Sequence, residues 1–218
     1  MITSNVRKLC LNGWLQVHAP NIYCSPIRLQ SFLFFYEAFS KVEGDTSDFS
    51  NLRGYKMGPV FTTVWNDRVK EGDKFDDGSL LAYAANRHVV NELRAERTKF
   101  LILSLSENEL CSISREFHIW RKMKPFIAAG FIKIDLDEND FDCHDMALIN
   151  ELKSICTDDL IHDSTILSIG ETNFVFSKDD YRNLTTQHLD TLMQLSRKGE
   201  LYNPVFAEID EDGILCVI

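Results

Sequence analysis

Ser25-Pro26-Ile27-Arg28-Leu29-Gln30-Ser31-Phe32-Leu33-Phe34-Phe35-Tyr36-Glu37-Ala38-Phe39 is the stretch on which the fold of this chain turns. Ser25 suits a helix N-cap, since its hydroxyl accepts a free backbone N–H of the first turn. Pro26 follows at the first helical position, where a missing N–H costs nothing. The apolar residues Ile27, Leu29, Phe32, Leu33, Phe34, Phe35, Tyr36, Ala38 and Phe39 then leave little polar face. A helix apolar nearly all round packs on several sides, so this one is expected to organise the core.

On the N-terminal side, Val6, Leu9, Cys10, Gly13 and Val17 recur at helical spacing between Thr3 and Val17. Pro20 ends that helix. On the C-terminal side, Lys41 to Asn51 reads as a loop, and Leu52 to Met57 as an extended stretch closed by Gly58-Pro59. Apolar pairs at 60/61, 64/65 and 68/69 predict a helix ending near Gly72, and Asp73 to Gly78 reads as a turn. A further helical stripe runs through Leu81, Ala84, Ala85, His88, Val89 and Leu93. Ser106-Glu107-Asn108-Glu109 has the spacing of a capping box and opens a helix towards Phe117. Pro125 opens a short helix ending at Gly130, and Phe131 to Ile134 predicts a strand.

Beyond residue 135 an acidic turn region, Asp135 to Asp145, precedes a helix over Met146 to Ile155. Phe174 to Phe176 predicts a strand. Ser177 with Asp180 caps a longer helix carrying Tyr181, Leu184, His188, Leu192 and Leu195. Val205 to Ile209 and Ile214 to Ile218 flank Asp210 to Gly213, a hairpin signal. The expected class is α+β, mainly α-helical, with a few short strands and a C-terminal β-hairpin.

Charge divides the chain in two. Residues 1–130 hold 17 Lys and Arg against 14 Asp and Glu, whereas residues 131–218 hold 6 against 19. A helical domain over 1–130 and an acidic α+β extension over 131–218 packed on it are therefore expected. Acidic surface repels phosphate backbones and attracts basic surfaces. It also simply keeps a protein soluble. Direct nucleic-acid binding is disfavoured, and a protein partner with a basic surface is expected. No apolar run approaches the roughly 18 to 20 residues of a membrane helix. Met1 to Lys8 lacks a signal-peptide layout, and six scattered cysteines read as reduced thiols. A cytoplasmic protein without membrane attachment is expected; the oligomeric state is left open.

The sequence carries no recognised catalytic motif. There is no G-x-S-x-G, P-loop or G-x-G-x-x-G. Cys143 and His144 are adjacent, and Cys156 and His162 follow, but no C-x-x-C supports a zinc site. Asp135, Asp137, Asn139, Asp140 and Asp142 hint at a calcium loop, yet Asp140 and Met146 stand where Gly and the bidentate Glu belong. His88 and His188 fall on apolar helical faces and read as core histidines. His118, near Trp120 in the basic segment Arg115 to Lys124, suits nucleic acid or docking of the acidic half. No metal, cofactor or enzymatic activity is expected.

Three segments resemble the Panacea-domain antitoxin family, in order and spacing, over roughly residues 3–125. Ser25 to Phe35 is similar to the family's T-P-x-K-L-Q-K-L-L-Y-F helix. Gly54-Tyr55-Lys56-Met57-Gly58-Pro59-Val60 resembles its A-W-x-Y-G-P-V segment. Leu110 to Arg115, with Trp120 beyond, resembles its late L-x-x-L-[ST]-H with trailing Trp. Tyr55, Met57 and Arg115 stand where the family has Trp, Tyr and His. The resemblance implies an antitoxin that neutralises a partner toxin by direct binding, in some members as a proteolysis adaptor. Tyr55, Gly58, Pro59, Trp65 and Trp120 read as the structural motif, and Arg28, Gln30 and Lys56 as candidate partner contacts. The alternative is a phage-encoded inhibitor of a host defence nuclease acting through the acidic surface.

Overall fold

In the computed structural model, which describes residues 1–217, Asn5 accepts the Lys8 N–H at 3.0 Å and starts α1 (Val6–His18). Its inward side is Cys10, Leu11, Trp14 and Leu15, while Val6 and Val17 are exposed. The expected stripe is rotated, because Trp14 has the largest area to bury and carries the helix face with it. Pro20 ends α1 as expected and also starts a short helix, α2 (Pro20–Cys24).

α3 (Pro26–Val42) begins as predicted, with Ser25 Oγ accepting the Arg28 N–H at 3.2 Å. Every residue from Leu29 to Ser40 is buried. Trp14 stacks on Phe32 with centroids 5.6 Å apart, and Phe117 meets Phe34 edge-on at 5.1 Å. Such aromatic pairs add to the area each ring buries. The aromatic helix is the centre of the molecule.

β1 (Leu52–Tyr55) and β2 (Gly58–Phe61) form an antiparallel hairpin with Lys56 and Met57 at its tip. Val60 and Phe61 thus lie in a strand rather than opening a helix, since Phe61 gains full burial opposite Leu52. α4 (Thr62–Ala85) follows, kinked at Gly72, whose φ is 38°. Residues 73–78 are helical, not a turn: Phe75, Ser79 and Tyr83 form a buried stripe at spacing four. α4 lies against α1 where Gly13 has no side chain, and a Cβ there would sit 2.2 Å from the Ser79 carbonyl oxygen.

The expected stripe over 81–93 is broken. A 3-10 turn (Arg87–Val89) intervenes, and Asn91 caps a new helix, α5 (Glu92–Ser104), by accepting the Arg94 N–H at 3.1 Å. Leu81, Leu93 and His88 are consequently exposed. α6 (Glu107–Ser114) carries both bonds of the predicted capping box. α7 (His118–Arg121) and α8 (Met123–Ala128) follow, α8 starting two residues before Pro125.

β3 (Lys133–Asp135) pairs with β1, and α9 (Cys143–Ile155) packs on α3, bringing Ile149 into the main core. α10 (Asp158–Asp163) leads to a second sheet, in order β4 (Ser164–Ile169), β5 (Thr172–Ser177), β6 (Val205–Ile209) and β7 (Leu215–Val217). β4 and α10 carried no predicted element. The sheet holds its own small core of Phe174, Phe176, Leu192, Val205 and Ala207. The main core therefore crosses the charge boundary at residue 130 and reaches Val175.

Two helices, α11 (Lys178–Arg182) and α12 (Thr186–Lys198), replace the single long one expected after Ser177. Thr185 starts the second with a capping box in which His188 accepts its backbone N–H at 3.3 Å. His188 is thus a cap rather than a core residue. The predicted β6–β7 hairpin is present; Ile218, included in its second strand, lies outside the described residues. The mainly helical α+β class is the observed one. No described helix is long and apolar enough to cross a membrane. All six cysteines are free thiols, and Cys10, Cys111 and Cys156 are buried.

Candidate functional site

Four elements meet around an open groove of about 180 Å³. The first two turns of α3 supply Pro26, Ile27, Gln30 and Ser31, and the hairpin supplies Met57, Gly58, Pro59 and Val60. Trp65 of α4 and Cys111 and Ser114 of α6 complete it. Met57 and Trp65 remain half-exposed at the mouth, at 50% and 43%.

Local chemistry places each wall. Gly58 adopts φ 140°, a conformation that L side chains rarely enter, and this turns the hairpin tip beside Ser114. Pro59 follows with a fixed φ and no N–H to satisfy. Gln30 reaches across to accept the buried N–H of Phe61 at 2.8 Å. Trp120 is buried and donates its indole N–H to the Tyr55 carbonyl at 2.9 Å, tying β1 to α7. The groove is thus framed by all three segments that carry the family resemblance.

The polar candidates divide. Arg28 donates to the Ile102 carbonyl at 2.9 Å and Gln30 accepts the Phe61 N–H, so both side chains tie parts of the fold together. Lys56 alone of the three stands exposed, at the hairpin tip. Ile27, Ser31, Met57, Cys111 and Ser114 were not singled out in the sequence. All five lie inside the matched segments, but side-chain type gives no sign that they share one surface.

The lining holds no His, carboxylate, Lys or Arg. Burial pushes the Cys111 thiol up, with Arg115 opposing, so this thiol is not poised as a thiolate. The Ser114 hydroxyl donates to the Leu110 carbonyl at 2.7 Å. The groove offers apolar contact rather than acid–base chemistry.

The basic segment 115–124 docks the acidic half. His118 Nδ1 lies 2.8 Å from Asp142, Lys122 pairs with Asp140, and buried Asp145 accepts the N–H groups of His118 and Ile119. His118 also stacks on His144, ring centroids 4.1 Å apart. The acidic turn is taken up by capping: Asp137 accepts from Asn139 N and Asp142 from His144 N, each at 2.9 Å. Among the described residues no group of three His, Cys, Asp or Glu side chains is arranged to hold a metal ion.

A buried ionic network had no signature in the sequence. Glu37, fully buried, accepts from Arg7 and from Lys8, the latter at 2.6 Å. Arg94 and Arg97 both reach Glu43, and Arg97 continues to Asp158 of α10. It joins α1, α3, α5 and α10.

No family model, curated protein or solved structure matches this chain.

Proposed function

We propose that this protein is an antitoxin-like neutraliser that binds a partner protein through the groove at Trp65. One observation carries the reading: the three separated segments that resemble the antitoxin family converge on a single apolar groove. Half-exposed Trp and Met side chains supply binding area at interfaces, Trp as an anchor and Met as an adaptable filler. A lining without titratable acid–base pairs suits recognition better than turnover.

Co-expression with the product of the neighbouring gene tests it. Growth rescue and co-purification are expected for the native chain, and both are expected to fail for Trp65→Ala/Met57→Ala, whose melting temperature stays close to the parent's. Failure of the native chain both to rescue growth and to co-purify would remove the proposal.

A second reading, inhibition of a basic defence nuclease, is favoured by the charge balance of residues 131–218, 6 basic against 19 acidic. Complementary charge sets on-rate and partner choice. Binding to such a nuclease should weaken steeply with salt and compete with its nucleic acid; salt-insensitive binding would discard this alternative.

A further inference from the structure

We infer a second docking site, on the far sheet, for a partner segment that alternates lysine or arginine with apolar residues. β5 and β6 run parallel but pair only at Phe174–Val205 and Val175–Phe206. Beyond those pairs β5 continues along β4, and β6 along β7. A crevice of about 450 Å³ opens there, closed on one side by α10. Crevices at the carboxyl ends of parallel strands are recurrent binding positions in open sheets.

Its floor is apolar, made by Leu160, Val175, Phe176, Phe206 and Ala207, with Leu160 and Phe206 half-buried. Its rim is Asp159, Asp163, Asp180 and Glu208. Among the described residues none of these four carboxylates makes an ion pair, and no Lys, Arg or His lines the crevice. Asp180 is held by the Ser177 hydroxyl at 2.7 Å, leaving its charge uncompensated. Elsewhere in the chain the acids beside this region are used internally: Asp158, next to Asp159, is taken by Arg97. Unpaired acids around an apolar floor complement cations flanking an apolar side chain. A nucleic acid is repelled by the same rim.

This site shares no lining residue with the groove at Trp65 and stands whether or not either functional reading does. The probes are three fluorescein-labelled hexapeptides, alternating Lys–Leu, Lys–Gly and Glu–Leu, titrated against the full chain by fluorescence anisotropy. The Lys–Leu peptide should bind saturably and at least about tenfold tighter than Lys–Gly, with affinity falling as salt rises. Asp159→Asn/Asp163→Asn/Glu208→Gln should lower its affinity about tenfold or more, whereas Asp190→Asn/Glu211→Gln/Asp212→Asn, with the same change in net charge, should stay within about twofold. Equal losses in the two triple variants would reduce the effect to general charge and overturn the site. Equal binding of Lys–Gly, binding of Glu–Leu, or no saturable binding at all would overturn it as well.

Discussion

The side-chain oxygen of Gln30 accepts the backbone N–H of Phe61 at 2.8 Å, inside the core. Phe61 is the last residue of β2 and the cap of α4. One bond therefore fixes the hairpin and the start of α4 against the central helix, and with them three walls of the groove. Gln30→Ala leaves that N–H buried and unanswered, which costs about 1–3 kcal/mol. Urea denaturation should show a lower midpoint with an unchanged slope.

Glu37 is the point on which the buried network depends. Besides Arg7 and Lys8 it accepts the Asp48 N–H at 3.0 Å, and Lys8 lies 4.0 Å from the Phe61 ring centroid. Glu37→Ala leaves Arg7 without a carboxylate partner and leaves the fully buried Lys8 with Asp48 alone, at 3.6 Å. Removing one member of a buried ion pair destabilises by about 3–5 kcal/mol. The loss should exceed that of Glu138→Ala, which removes a half-exposed pair with Lys41, measured by the same denaturation.

Gly13→Ala tests the crossing of α1 and α4. The added methyl meets the Ser79 backbone oxygen at 2.2 Å and Tyr83 Cβ at 2.7 Å, so the helices must separate. Overpacking of this kind costs roughly 1–3 kcal/mol, and here the contact is backbone and cannot swing away. Ala raises helix propensity by about 1 kcal/mol over Gly; a net gain in melting temperature would show that the crossing is looser than described.

Acid should weaken the fold through Asp48. Burial disfavours its charge, but Lys8 and hydrogen bonds from Ser50 and Asn5 outweigh it and hold the carboxyl down to about 2. Its folded value lies below its unfolded one, so its contribution is present above about pH 4 and is lost as pH falls towards about 2. Asp48→Asn should flatten that part of the stability profile while leaving its slope above pH 5 unchanged. An unaltered acid limb would place the dependence on other carboxylates.

Local signals in the sequence served well wherever the chemistry is local. Ser25, Ser106 and the Asp210 to Gly213 turn act within three or four residues, and each does in the structure what its spacing predicts. Local signals mislead where two local options compete. Asp73 to Gly78 has the composition of a turn, yet Phe75, Ser79 and Tyr83 gain burial against α1 only as a helix. Val60 and Phe61 fit a helical pairing but sit opposite Arg53 and Leu52 in a hairpin. His88 and His188 lie at helical spacing, yet neither is buried, because Asn91 and Thr185 start new helices beside them.

The identity of the central helix was already contained in residues 25–39: a cap, a proline at the first turn and a run of aromatics dictate a helix with no face to spare. The groove and the ionic network were not, and belong to packing alone. Which acid meets Lys8, and whether Trp65, Met57 and Cys111 share a surface, depends on how segments far apart in the chain are brought together. Side-chain type states what a residue can bond to; only the packed backbone sets which partner comes within reach.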